Sequence, residues 1–323
     1  MIEKQLLRIH SPEAGAIHLG LLEKRAASLD SRFPPVLLVH GATLGHRLFD
    51  LPRPGYSLMD ELAKAGRVVY AVDIRGYGTS VGGAVMEESA AMNPPYAGVG
   101  VAVEDIAAAV DFIRKRRGVA ALDLIGFSWG TITAARYAGT HPDKIARLAL
   151  YAPLYGENNV AWLERIADPC DRRRLAPTYG AYRLITLSDL VRRWDDELPT
   201  RNSSLFREDG VPELVFEALA SLDPLSASRT PPAFRCPNGA LADMVATFNG
   251  RPLYEAAKLK MPTLLLRGAE DVTSTDSDAR RLSAEIASPL KDYRAISLGS
   301  HFLCIERNRA KLIEQFLEFF EPI

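Results

Sequence analysis

Ser128 stands in the pentapeptide Gly126-Phe127-Ser128-Trp129-Gly130, directly after the strand-like run Ala121–Ile125 and just before a helical run. A serine in G-x-S-x-G between a strand and a helix sits on a tight, strained turn that lifts its Oγ clear of the sheet. A Cβ at either glycine would collide with the backbone of the neighbouring strand or helix. A serine hydroxyl is a poor nucleophile at neutral pH, so it needs a base, and the base needs an orienting carboxylate. The chain order expected for such a turn is serine, acid, histidine. Of the six histidines, only His301 lies in a loop directly after a late strand, in Leu298-Gly299-Ser300-His301-Phe302. His10 and His18 precede the core, and His141 ends a helix beside Pro142; these read as surface or structural residues. Asp271 closes Arg267-Gly268-Ala269-Glu270-Asp271 after an apolar strand and is the expected acid. Glu270 beside it points elsewhere on a tight turn.

Charge developing on a carbonyl oxygen needs two aimed N–H groups. One is expected from the backbone of Trp129, the other from the loop after Val36–Val39, at Ala42 with Thr43 as the alternative. His40 in that loop reads as a residue that holds the loop. Thr43, Phe127 and Phe302 are candidate substrate contacts.

The elements that must position these residues alternate between strand and helix. Strand signals fall near Gln5–Ile9 and Ala16–Glu23. The continuous apolar run Val36–Val39 reads as a strand buried on both faces. Ser57–Ala65 is helical in character and Arg67–Val72 is β-branched. Val103, Ile106, Val110 and Ile113 recur at helical spacing. Gly118 stops that helix after the basic Arg114–Arg117 run, which reads as a solvated helix end. A helix over Ile132–Thr140 and a strand over Ile145–Tyr151 follow. From about Pro153 to Lys258 the alternation stops, giving way to helix-like pieces. It resumes with Thr263–Leu266, a helix near Asp276–Ile286, a strand near Lys291–Ser297 and a last helix. This rhythm predicts an α/β fold with a mostly parallel sheet flanked by helices. Residues 1–152 and 259–323 would form its core, and 153–258 a mainly helical cap inserted above it.

Composition narrows the function classes. The 323 residues are 47% hydrophobic and 24% charged, with a net charge of −1, as in a soluble globular chain. Near-neutral charge gives no reason to expect nucleic acid or an anionic membrane as partner. No apolar run approaches the roughly 20 residues that span a bilayer, and the charged N-terminus does not read as a secretory signal. Cys170, Cys236 and Cys304 are an odd, widely spaced set, expected to be reduced thiols in a cytoplasm. No metal-ligand spacing is present, and nothing in the composition speaks to oligomeric state.

Five motifs in order carry a resemblance: His40-Gly41, Asp73–Ser80, Gly126–Gly130, Gly268–Asp271 and Gly299-Ser300-His301. Together they resemble the α/β-hydrolase superfamily over about residues 35–152 and 260–321, with the insertion where that family carries its cap. The resemblance implies a serine hydrolase without metal or cofactor, in which Ser128 attacks, His301 relays the proton and Asp271 holds the imidazole. It makes Asp73–Ser80 a structural turn. Epoxide hydrolases and haloalkane dehalogenases of the superfamily carry aspartate at the nucleophile, so Ser128 argues against both. The Ser-Trp-Gly core is similar to that of proline iminopeptidases, but their oxyanion loop is glycine- and proline-rich, unlike His40–Gly45 here.

The expected substrate is a medium-sized, partly apolar small molecule with an acyl bond, a carboxylic ester or lactone. The alternatives are an amide or peptide bond, a thioester, a C–C bond, or ligand binding with vestigial turnover. A peptidase would need a cap carboxylate for the substrate amine, for which Glu197, Glu213 and Glu217 are available. Most cap aromatics are expected to pack on one another. The arginine runs 172–174 and 192–193 read as solvated helix faces, and the loop after Val39, with Leu44, Leu48, Phe49 and Leu51, as a pocket wall.

Overall fold

The computed structural model describes residues 1–11, 17–30 and 32–321. Its centre is β3 (Val36–Val39), whose four side chains are completely buried. A short run of branched apolar residues is stable as a strand only where both faces are covered. Beside it lie β4 (Val68–Val72) on one side and β5 (Leu122–Phe127) on the other, both parallel to it. Next to β5 come β6 (Ile145–Tyr151), β9 (Thr263–Gly268) and β10 (Lys291–Ile296), all parallel. The far edge is antiparallel: β1 (Ile2–His10) pairs with β2 (His18–Ala26), and β2 with β4. The eight strands run β1-β2-β4-β3-β5-β6-β9-β10. The first two strands start and end within a few residues of expectation; Ala16 lies outside the described residues.

Chain order reverses at β3, because β4 leaves to one side and β5 returns on the other. The carboxyl ends of β3 and β5 therefore border the crevice where open α/β sheets bind ligands. The helices of the core are α1 (Leu58–Lys64), α2 (Val99–Arg117), α3 (Trp129–Thr140), α8 (Asp276–Glu285) and α9 (Arg309–Phe319). On α2, Ile106, Val110 and Ile113 are fully buried, and Gly118 ends the helix in the left-handed conformation with its N–H on the Arg114 carbonyl. The basic run before it is not wholly solvated. Arg116 and Arg117 both pair with Glu23, a buried carboxylate on β2, and that pairing lies too far away in sequence to be seen locally.

Between β6 and β9 the chain leaves the sheet for four helices: α4 (Val160–Ile166), α5 (Leu187–Asp195), α6 (Val211–Ala220) and α7 (Gly239–Phe248). Beside the helix-like pieces expected here stand two short strands that the sequence did not signal. β7 (Tyr182–Thr186) and β8 (Ala233–Pro237) form a separate two-stranded antiparallel sheet. Each is five residues long with an arginine inside, β8 ends in proline, and their partners lie some fifty residues apart, so no hairpin signal exists.

Candidate active site

The turn after β5 places Ser128 at φ 55°, ψ −121°, a left-handed value that non-glycine residues rarely adopt. It is held from both sides: the Ser128 N–H donates to the Tyr151 carbonyl at 2.9 Å, and its own carbonyl accepts from Thr131 N–H at 2.8 Å. The flanking glycines are required as expected. A Cβ on Gly126 would lie 2.4 Å from the Gly130 carbonyl oxygen, and one on Gly130 would lie 2.5 Å from the carbonyls of Val39 and His40.

Ser128, His301 and Asp271 come together from three loops. Ser128 Oγ is 2.9 Å from His301 Nε2, and His301 Nδ1 is 2.9 Å from Asp271 Oδ2. All three side chains are buried. The other Asp271 oxygen, Oδ1, accepts the backbone N–H groups of Thr273 and Ser274, each at 2.8 Å. With both of its oxygens engaged by donors, the carboxylate holds Nδ1–H on the imidazole, and Nε2 faces the serine hydroxyl as an acceptor. Glu270 turns away, as expected, and accepts the N–H groups of Leu298 and Gly299.

The loop after β3 is pinned peptide by peptide. His40 is buried; its Nε2 accepts from Ile74 N–H at 3.0 Å, and its Nδ1 lies 2.8 Å from the Gly41 carbonyl. This is the loop-holding part expected of it. An amide N–H lies anti to the carbonyl of its own peptide. Fixing the Gly41 carbonyl on a buried imidazole therefore turns the Ala42 N–H away from the core. The Ala42 carbonyl is gripped by Tyr77 Oη (3.0 Å), Arg183 Nη2 (3.1 Å) and Cys236 Sγ (3.1 Å). Among the described residues, neither Ala42 N–H nor Trp129 N–H donates to another group of the chain. Asp73–Ser80 is a turn built around Asp73, which accepts from His46, Thr79 N–H and Thr79 Oγ1.

These residues border a cavity of about 500 Å³. Ala42, Thr43, Phe127, Ser128, His301 and Phe302 all reach it, whereas Asp271 and Trp129 lie behind. Of the aromatics in residues 153–258, Trp162, Tyr179 and Trp194 line it. Others pack away from it, Phe216 against Phe234 and Phe248 against Trp162. Leu44 is the only one of the four loop apolar residues in the wall; Leu48, Phe49 and Leu51 are core. The arginine runs divide. Arg192 and Arg193 line the cavity, contrary to a merely solvated face, while Arg173 is exposed and paired with Asp171.

Beside the site stand Glu306, Thr273 and Arg183, which the sequence did not single out, and Glu197, expected only as a carboxylate available to a substrate amine. Glu306 is buried and accepts from Ser300 N–H (2.8 Å), from the Ser300 hydroxyl and from Trp194 Nε1 (2.9 Å), tying α5 to the histidine loop. Its one signal was a lone acid closing the apolar run Phe302–Ile305. Thr273 and Arg183 gave none.

Below the serine turn, Asp243 on α7 accepts from Trp129 Nε1 at 2.9 Å and from Val99 N–H at 2.7 Å, both on Oδ2. Burial pushes its carboxyl up from the usual 3.8 to about 6, against the pull of those two donors. The folded chain thus keeps a proton there that the unfolded chain releases, and stability falls as pH rises from about 3.8 to about 6. One amide oxygen can accept both bonds, so Asp243→Asn is expected to flatten the pH dependence of Tm in that window. At pH 8 the variant should melt no lower than the parent. A lower Tm at pH 8 would contradict this.

The chain belongs to the alpha/beta hydrolase fold family, whose model matches residues 34–308. It is similar to the AB hydrolase superfamily protein YisY of Bacillus subtilis, 26% identical over 263 residues that span 78% of this chain and 80% of that protein. Similar solved structures include a thermophilic esterase from Thermogutta terrifontis, with TM-score 0.64, 20% identity and coverage of 98% of this chain and 99% of that one. Another is the meta-cleavage product hydrolase of Pseudomonas fluorescens IP01, with TM-score 0.63, 16% identity and coverage of 97% of each chain. At such identities the likeness speaks for the fold alone. Among the described residues no helix is long and apolar enough to cross a membrane.

Proposed function

We propose that this hydrolase cleaves a carboxylic ester or lactone through an acyl-enzyme on Ser128. The observation that carries the reading is the unbroken chain Ser128 Oγ–His301–Asp271, with both links at 2.9 Å, opening on a cavity of about 500 Å³. Ser128 Oγ attacks the carbonyl carbon while its proton passes to His301 Nε2. The oxyanion is met by the N–H groups of Trp129 and Ala42. The tetrahedral adduct collapses as His301 returns the proton to the departing alkoxide. Water then gives its proton to His301 and its oxygen to the acyl carbon, and Ser128 leaves with the proton. No step calls for a metal or cofactor.

Residues 153–258 act as the cap over the 1–152 and 259–323 core and supply Trp162, Tyr179 and Trp194 to the wall, which Thr43, Phe127 and Phe302 also line. The charges of the wall favour an ester over a peptide with a free amine. Asp189 and Asp196 reach the cavity, but each is paired, with Arg192 and Arg165. Glu213 and Glu217 do not reach it, and Glu197 lies behind it in the grip of Arg193. The structures of a Thermogutta terrifontis esterase and a meta-cleavage product hydrolase on the same fold keep C–C hydrolysis as the second test.

A matched panel decides: short and long acyl p-nitrophenyl esters, aromatic esters, a lactone, an amino-acid anilide and a vinylogous 1,5-diketone, each with Ser128→Ala as blank. Ester or lactone turnover above the anilide by at least about 100-fold is expected, since an ester is the easier acyl bond and the amine finds no carboxylate. Anilide turnover without ester preference would overturn the ester reading.

A further inference from the structure

Glu197 follows α5 by two residues, and its carboxylate is completely enclosed. Oε1 accepts from Arg193 Nη1 and from the Thr273 hydroxyl at 2.6 Å. Oε2 is buried and has no hydrogen-bond partner among the described residues. A half-satisfied buried carboxylate is costly, and native structures rarely keep one without a use. Its neighbours suggest the use. A Glu197 oxygen, an Asp271 oxygen and a His301 ring nitrogen all lie within 4.8 Å of one another. Both His301 nitrogens are already engaged, by Asp271 and by Ser128, so the cluster does not offer a free imidazole lone pair to a metal.

We propose that Glu197 is a positioning residue of the hydrolytic site: a second carboxylate that stabilises the imidazolium formed when His301 takes the Ser128 proton. The inference rests on the serine-hydrolase reading above. Every element packed around His301 can be counted for charge. The loop after β9 contributes Asp271. The histidine's own loop contributes Glu306, which binds Ser300 rather than the ring. From β6, Tyr151 donates its hydroxyl to the His301 carbonyl. The residues around α5 contribute Glu197 and the cation Arg193, whose guanidinium lies 5.4 Å from the Phe302 ring centre and 4.7 Å from that of Trp162, while Arg267 of β9 is held by the carbonyls of Asp271 and Ser274. Arg193 sits on Oε1, and Oε2 carries no hydrogen bond among the described residues.

Thr273 is the hinge of the arrangement. Its N–H holds Asp271 Oδ1 while its hydroxyl donates to Glu197 and accepts from Trp162 Nε1 at 2.7 Å. One residue thus sets the spacing between the two carboxylates and keys both to the cavity wall. The insertion, on this account, completes the proton relay as well as covering it.

The test compares kcat and KM across pH 5–9 for the parent, Glu197→Gln, Asp271→Asn and the double variant, on whichever panel ester is turned over best. Removing a carboxylate within about 4–6 Å of a histidine favours the neutral ring. Glu197→Gln is therefore expected to move the acid limb of kcat/KM to lower pH by about 0.5–1 unit. It should lower kcat roughly tenfold with KM nearly unchanged, the mark of an interaction made in the transition state. In the Asp271→Asn background the same change should cost a smaller factor, because the ring there no longer takes the serine proton and forms no imidazolium for Glu197 to stabilise. Glu197→Met, of similar volume, gives the same readings if the amide variant does not fold. An unmoved acid limb, with KM raised and equal factors in both backgrounds, overturns the proposal and leaves Glu197 an anchor for Arg193. Ester turnover that survives Ser128→Ala would overturn the hydrolase reading itself, and this inference with it.

Discussion

Ser128→Ala is expected to lower kcat by a factor on the order of 10⁵–10⁶ while leaving the melting temperature within a few degrees of the parent's. Three features set the size of the effect. The hydroxyl is the one nucleophile in line with His301 Nε2, at 2.9 Å. Residual rate would come from the Trp129 and Ala42 amides and from binding, which alone give modest acceleration over water. The fold should survive, because the strained turn is held by backbone bonds from Tyr151 and Thr131 that alanine keeps. Alanine also fits the vacated space without new contacts. Steady-state kinetics on the panel substrate, beside a melting curve, checks both halves. Retention of more than a few per cent of activity would remove Ser128 as nucleophile.

Asp271→Asn should cost about 10⁴ in kcat, through the wrong imidazole tautomer rather than through loss of structure. The backbone donors of Thr273 and Ser274 decide the direction in which the amide settles. Both aim N–H groups at Oδ1 at 2.8 Å, so the asparagine oxygen is held there and its NH₂ group takes the place of Oδ2. That group presents a proton to His301 Nδ1, which must then give up its own and become the acceptor. The remaining ring proton moves to Nε2 and points at Ser128 Oγ, leaving no base for the hydroxyl. Glu270→Gln, whose carboxylate serves only the Leu298 and Gly299 amides, should cost less than about tenfold by the same assay. If Glu270→Gln proved the more damaging change, the acid would be misassigned.

The parts of this molecule legible in the sequence are those specified by neighbours. The turn at Ser128 is written in five adjacent residues, with a steric reason visible in isolation at both glycines. β3 announces itself because four consecutive branched apolar side chains need cover on both faces. Asp271 and His301 could be expected beside Ser128 because each follows a strand signal, and a strand's carboxyl end fixes where the next residues stand. The illegible parts depend on pairings across long separations. Tyr182–Thr186 becomes a strand only because Ala233–Pro237 lies beside it. Glu197 and Thr273 are 76 residues apart, and nothing local to either hints at the other. Arg116 and Arg117 looked like a solvated helix end because Glu23, their buried partner, is on the second strand of the chain. The ionic network behind the histidine is therefore a property of the fold, and the insertion that supplies half of it carries the weakest periodic signal in the chain.

The most direct test of the central claim is covalent labelling with a fluorophosphonate followed by peptide mapping, run on the parent, Ser128→Ala and His301→Ala. The account predicts one adduct, on the peptide carrying Ser128, absent in Ser128→Ala and formed far more slowly when the histidine is gone. An unlabelled Ser128 in a protein that still hydrolyses the panel ester, or an adduct formed equally fast without His301, would contradict it.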